Sequence, residues 1–131
     1  MKNFLILLIF FLSMNGVSAE DKDPYVSTSI IELIILEKKS RKLENKNVET
    51  FGFLRAVPSP HIYLTDKHGM AYDFSNSVRI SYNSEQLSRL LKQCDNQHVW
   101  VKGALERNID GLYMALHGVE DRSKKSCSKN I

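Results

Sequence analysis

Nine consecutive apolar residues, Phe4 to Leu12, follow Lys2 at the start of the chain. Ser13-Met14-Asn15-Gly16 breaks the run, and Val17-Ser18-Ala19 puts small residues at the −3 and −1 positions of a cut before Glu20. This is the charged, apolar, small-residue order of a secretory signal. Nine helical residues rise only about 14 Å, short of the roughly 30 Å hydrocarbon core, which disfavours the alternative of an uncleaved anchor. Residues 1–19 are therefore expected to be removed and the chain exported to the periplasm or secreted. Residues 20–28 read as a mobile lead-in.

Beyond the lead-in the pattern alternates between two periods. Ser29-Ile30-Ile31-Glu32 fits a capping box and predicts a helix from Ile30 to about Leu43, apolar in its first half and charged in its second. Val48 to Val57 is a β pattern with Gly52 at its centre, stopped by Pro58-Ser59-Pro60 because proline cannot donate to a ladder. His61–Thr65 predicts a second strand, Asp66–Gly69 a hairpin turn, and Met70–Ser75 a third strand with a bulge at Asn76-Ser77 before Val78–Ser81. Ser84 offers an N-cap to a helix carrying Leu87, Leu90, Leu91 and Cys94 on one face. His98–Glu106 and Leu112–Val119 then predict two more strands around a turn at Arg107–Gly111.

Three strands, a helix and two strands is the order of the OB fold, a five-stranded partly open barrel with its helix between the third and fourth strands. An echo supports it: Val48-x-Thr50-x-Gly52-x-Leu54 recurs as Val99-x-Val101-x-Gly103-x-Leu105. Glycine inside a strand marks a bulge or sharp bend, and a small barrel needs such bends to close. The fold expected is mainly β with α. The OB-type domain spans residues 29–121, including the N-terminal helix, and residues 122–131 form a basic tail.

The same residues resemble a family. Val26-Ser27, Glu32-Leu33, Lys46, Val48 to Leu54, Tyr63-Leu64, Val99 to Leu105 and Leu112 to Val119 follow the pattern of small exported bacterial OB-type domains, many without an assigned activity. The resemblance implies the fold, export and a bacterial origin, and it transfers no catalytic residue. The chain departs from that pattern in its longer charged helix and in Thr50, where valine is usual.

Composition narrows the chemistry. The whole chain carries a net charge of +3, one unit of it from Lys2. A nearly neutral domain with a short basic tail does not suit nucleic-acid binding, which needs clustered Lys and Arg against phosphate. The two cysteines, Cys94 and Cys127, flank the last two strands, whose antiparallel pairing brings the start of one beside the end of the other. A disulfide is expected in an oxidising compartment. His61, His68, His98 and His117 show no i, i+4 pair and there is no C-x-x-C, so no metal site and no cofactor are expected. No nucleophile elbow, phosphate loop or dinucleotide fingerprint is present, and no catalytic residue is assigned.

The function expected is a non-enzymatic binding module for a protein, peptide or glycan. The alternative is an inhibitor or accessory subunit of an envelope or secretion complex, docking through its N-terminal helix. OB barrels commonly bind through the face of strands two and three and its flanking loops. The candidate ligand-binding residues are accordingly His61, Tyr63, Lys67, Arg79 and Arg107, with Trp100 as the best single anchor for a partner. Tyr72 and Phe74 read as packing residues rather than a platform.

Overall fold

The structure, a computed structural model, describes residues 24–35 and 41–128. The predicted signal segment, residues 20–23 of the lead-in, residues 36–40 of the predicted N-terminal helix and the last three residues of the tail lie outside the described residues. The elements are β1 (Val26–Ser27), α1 (Ile30–Ile35), β2 (Asn47–Arg55), β3 (His61–Tyr63), α2 (Asp66–Met70), β4 (Ser77–Ser81), α3 (Glu85–Gln93), β5 (Gln97–Asn108) and β6 (Gly111–Asp121). Residues 41–43 add a helical turn.

The strands run β1-β2-β3-β4-β6-β5, and β2 also pairs with β5, so β2 to β6 close into a five-stranded barrel. β4 and β6 run parallel; the other barrel pairs are antiparallel. α3 lies between the third and fourth barrel strands, as the OB order requires. Val48, Leu54, Ile62, Val78, Ile80, Val99, Val101, Leu105, Met114, Leu116 and Val119 fill the interior, with Leu91 of α3 and Ile30 and Leu33 of α1 joining them. Every second residue of β2 and β5 points inward, which is the strand period imposed on a closed sheet.

The glycine echo has a geometric meaning. Val48 lies opposite Gly103 and Gly52 opposite Val99, so the two copies run antiparallel against each other. The β5–β6 register breaks between Lys102 and Gly103: Lys102 faces Gly118 and Gly103 faces Leu116, which leaves His117 as the extra residue of a bulge. The inward phase of β6 therefore shifts from Val119 to Leu116. Gly103 sits against the β6 backbone, where an added Cβ would collide with the Ala115 carbonyl oxygen and stand 2.7 Å from Met114 Cγ.

Both expected caps are formed. Ser29 Oγ accepts from the Glu32 N–H at 3.2 Å while Glu32 Oε2 accepts from the Ser29 N–H at 3.4 Å, the reciprocal capping box. Ser84 Oγ accepts from the Leu87 N–H at 3.2 Å and starts α3. The disulfide joins Cys94 at the end of α3 to Cys127, with Cα atoms 5.3 Å apart and both residues buried. Thr50 is fully buried and its hydroxyl has no hydrogen-bond partner.

Three expectations are corrected. Met70–Ser75 is not a strand: Asp66–Met70 is a helical turn capped by Thr65, whose Oγ1 accepts from the His68 N–H at 3.2 Å, and Phe74–Asn76 is a 3₁₀ turn. The third barrel strand is Ser77–Ser81 alone. The hydroxyl of Thr65 and the carboxylate of Asp73, which accepts from Ser75 Oγ and Asn76 Nδ2, offer local bonds that outcompete a ladder here. Asp66–Gly69 is accordingly not a hairpin turn. The lead-in is not all mobile: Val26 and Ser27 add to β2 in parallel, and the Thr28 N–H donates to the Glu49 carbonyl at 3.1 Å.

Candidate functional site

The β3–β4 face, where OB barrels commonly bind, is covered by the chain's own β3–β4 connection. Ile62 points into the barrel, so His61 and Tyr63 point outward, yet both are buried. Phe74 of the 3₁₀ turn stacks on His61 at 4.5 Å between ring centroids and lies 6.5 Å from Tyr63. Gly69 of α2 packs on Phe53, where an added Cβ would stand 2.9 Å from the ring's Cε1. Arg55 is clamped by the same segment, donating to the Tyr72 hydroxyl at 2.9 Å with its guanidinium 5.0 Å from that ring's centroid.

Burial sets the electrostatics under this cover. Desolvation holds the His61 imidazole below its ordinary value, opposed by its bond to the Ser59 carbonyl and assisted by the Arg79 charge. Desolvation also raises the Tyr63 phenol, and the Tyr63 hydroxyl has no hydrogen-bond partner. Phe74 itself is 50 % exposed, so the outermost aromatic surface on this side belongs to the cover rather than to the barrel.

The six expected ligand-binding residues do not form one site. His61 and Arg79 are cross-strand partners, and Tyr63 lies beside His61. Arg79 is turned toward β6 and the β5–β6 turn, 5.0 Å from the Tyr113 ring centroid and donating to Asn108 Oδ1 at 3.2 Å. Lys67 is exposed on α2. Arg107 forms an ion pair with Glu44 and borders a pocket of about 410 Å³ shared by Leu33, Ile34, Ile35, Ser77, Val78 and Leu112. Trp100 stands elsewhere, on the outer face of β5.

Around Trp100 the geometry is different. β2 and β5 pair along their shared length, which puts Phe51 directly opposite Trp100, with ring centroids 5.2 Å apart and planes tilted by 54°. His98 stacks beside Phe51 at 6.0 Å and meets the edge of Phe53 at 5.1 Å. Close cross-strand aromatic neighbours of this kind stabilise the sheet and leave one side of the row toward solvent. Facing Phe51 and Trp100 across a pocket of about 410 Å³ are Ser27, Thr28, Ser29 and Glu32, brought there by β1 and the capping box of α1.

Charges frame the row in matched pairs. Lys124 Nζ stands 4.7 Å from the Trp100 ring centroid and 3.5 Å from Glu49 Oε1. Lys102 pairs with Glu120 at 2.9 Å, and that hydrogen bond raises its pKa. Arg122 lies 6.0 Å from the Phe51 ring centroid. The start of the basic tail is thus drawn back over the barrel. Tyr25 closes the far end, its hydroxyl 2.8 Å from His117 Nδ1 at the bulge.

Sequence reasoning found Trp100 and missed Phe51, Glu32 and Ser27 as its neighbours. The signal available was the alternation itself: Phe51 and Trp100 occupy outward positions of the two echoed strands. Their contact depends on register, which an alternation does not fix. Among the described residues no three His, Cys, Asp or Glu side chains gather as metal ligands, and no helix is long and apolar enough to cross a membrane. The chain matches no protein-family model, and no curated protein matches it in sequence.

Proposed function

We propose that this chain is a binding module of the exported compartment, acting without catalysis through the outer face of β2 and β5 around Trp100. The observation that carries this reading is the Phe51–Trp100 pair, two aromatic rings side by side with one wall of a pocket opposite them. Aromatic anchors beside a small number of placed polar groups are the recurring composition of binding sites. Among the described residues lining this pocket the titratable side chain is Glu32, whose carboxylate is engaged with Thr28 Oγ1 at 3.0 Å and the Ser29 N–H; that engagement suits a positioning group better than a proton-transfer group. Export is supported by the sequence of residues 1–19 and by the disulfide, a bond that persists in oxidising compartments. The likeness to small exported bacterial OB-type domains belongs to the same reading.

The β3–β4 face is the weaker choice, because His61 and Tyr63 of β3 lie under Phe74. The test is cross-linking of the secreted protein to its partners in an envelope extract, comparing Trp100→Ala with Tyr72→Ala. Loss of a cross-linked species in the first variant alone supports the reading. Retention of every species in Trp100→Ala, with loss in Tyr72→Ala, moves the site to the α2 cover and overturns it.

A further inference from the structure

We propose that the trough between Phe51, Trp100 and Glu32 holds one pyranose ring of a neutral glycan; this inference rests on the binding reading above and names its ligand. A pyranose presents a face of C–H bonds and a rim of hydroxyls. The two rings, 5.2 Å apart and tilted by 54°, supply an apolar wall whose π faces attract C–H dipoles. The rest of the lining supplies Ser27, Thr28 and Glu32; the Ser27 hydroxyl donates to Glu49 Oε1 and the Thr28 hydroxyl to Glu32 Oε2, each at 3.0 Å, so toward a sugar rim of hydroxyl donors they present oxygen acceptors. An ionised carboxylate accepts from several donors at once, and bonds to it are the stronger ones. The depression is shallow and open to solvent, so a ring would rest against it on one face with its linkages extending outward.

The other ligand classes meet obstacles here. A peptide adding as a strand needs a long open edge, but β2 pairs with β5 from Asn47 to Leu54 and takes β1 and β3 on its other side, which leaves the two residues of β1 as the edge beside the trough. A nucleic acid or acidic glycan needs a cluster of uncompensated cations, whereas beside the rings Lys124 pairs with Glu49 and Lys102 with Glu120, and Arg122 near Phe51 adds a single charge. A neutral polyhydroxylated ligand asks for neither.

Trp100 is the chain's single tryptophan, so its emission reports this trough directly. The experiment titrates the secreted, disulfide-intact protein with cellohexaose, chitohexaose and maltohexaose, following Trp100 fluorescence and, for variants, calorimetry. A saturable emission change with one of the three is expected. Glu32→Gln should weaken that binding by about tenfold or more, as loss of a charge-assisted hydrogen bond requires, with circular dichroism unchanged. Trp100→Ala should abolish the calorimetric signal, and Arg89→Ala, exposed on α3 and outside the trough's lining, should leave it intact. No saturable response to any of the three sugars overturns the glycan assignment, as does wild-type affinity in Glu32→Gln. If the sugars fail while a cross-linked protein species still depends on Trp100, the binding reading stands and only its ligand is overturned. If both fail, both fall.

Discussion

Two glycines on neighbouring strands should respond to alanine with opposite signs. Gly103 faces the β6 backbone, and the group an added Cβ would strike is the Ala115 carbonyl, with Ala115 C only 3.0 Å away. A ladder carbonyl in a closed barrel cannot swing aside without moving the bulge that sets the β6 phase. Overpacking of this kind costs about 1–3 kcal/mol, and the entropic gain from replacing a glycine offsets about 0.5–1 kcal/mol of it. A clash with backbone rather than with a flexible side chain lies at the upper end of that range, so the net loss for Gly103→Ala is about 1–2.5 kcal/mol, a fall in Tm of roughly 4–15 °C for a domain of this size. Gly118, paired with Lys102 one step along, has nothing within 4 Å of an added Cβ and no positive φ. Gly118→Ala should keep the entropic gain alone and raise Tm by a few degrees. The assay is thermal unfolding by circular dichroism of the oxidised protein, with the two variants and wild type side by side. An unchanged or higher Tm for Gly103→Ala would refute the argument that the barrel closes through backbone contact at this residue.

The remaining predictions concern burial, cross-linking, protonation and export. Thr50→Val should raise stability by about 1 kcal/mol, since it removes a buried hydroxyl without a partner while keeping the side chain's shape; chemical denaturation with unchanged m-value checks it. Replacing Cys94 and Cys127 together by alanine should cost about 3–4 kcal/mol on the chain-entropy account, read from denaturation midpoints. His61, held below 6.5 by burial, binds its proton more readily when unfolded, so it adds stability above pH 6.5 that is lost as pH falls from there through its folded value. His61→Gln should flatten that part of the stability-versus-pH curve, and an unchanged slope would contradict it. Mass spectrometry of the secreted protein should find Glu20 as the first residue; a Met1 terminus would remove the cleavage argument.

Much of the fold was legible because strand and helix periods differ and caps use particular residues. Ser29 and Glu32 announced one helix start and Ser84 another, and both bonds are formed. The repeated Val-x-x-x-Gly spacing marked the two places where β2 and β5 lie tightly against a neighbouring backbone, Gly52 against Tyr63 O and Gly103 against Ala115 O, and the bulge opposite Gly103 falls on β6. The pairing of Cys94 with Cys127 followed from antiparallel order alone. Met70–Ser75 misled because its apolar residues, Met70, Ala71, Tyr72 and Phe74, are used to cover the outside of the barrel rather than to line its inside, and a period of two does not say which side will be covered.

What the sequence determined by itself was therefore a set of features that depend on neighbours a few residues away: the two helix caps, the turn between β5 and β6, and the interiors of β2, β5 and β6 with their tightly packed glycines. The tertiary structure decided which outward side chains meet. Register alone places Phe51 opposite Trp100, a parallel two-residue strand alone brings Ser27, Thr28 and Glu32 across from them, and a folded-back connection alone hides His61 and Tyr63. These are contacts between residues far apart in the chain, set by barrel closure and not by any local preference, and the candidate site is made entirely of them.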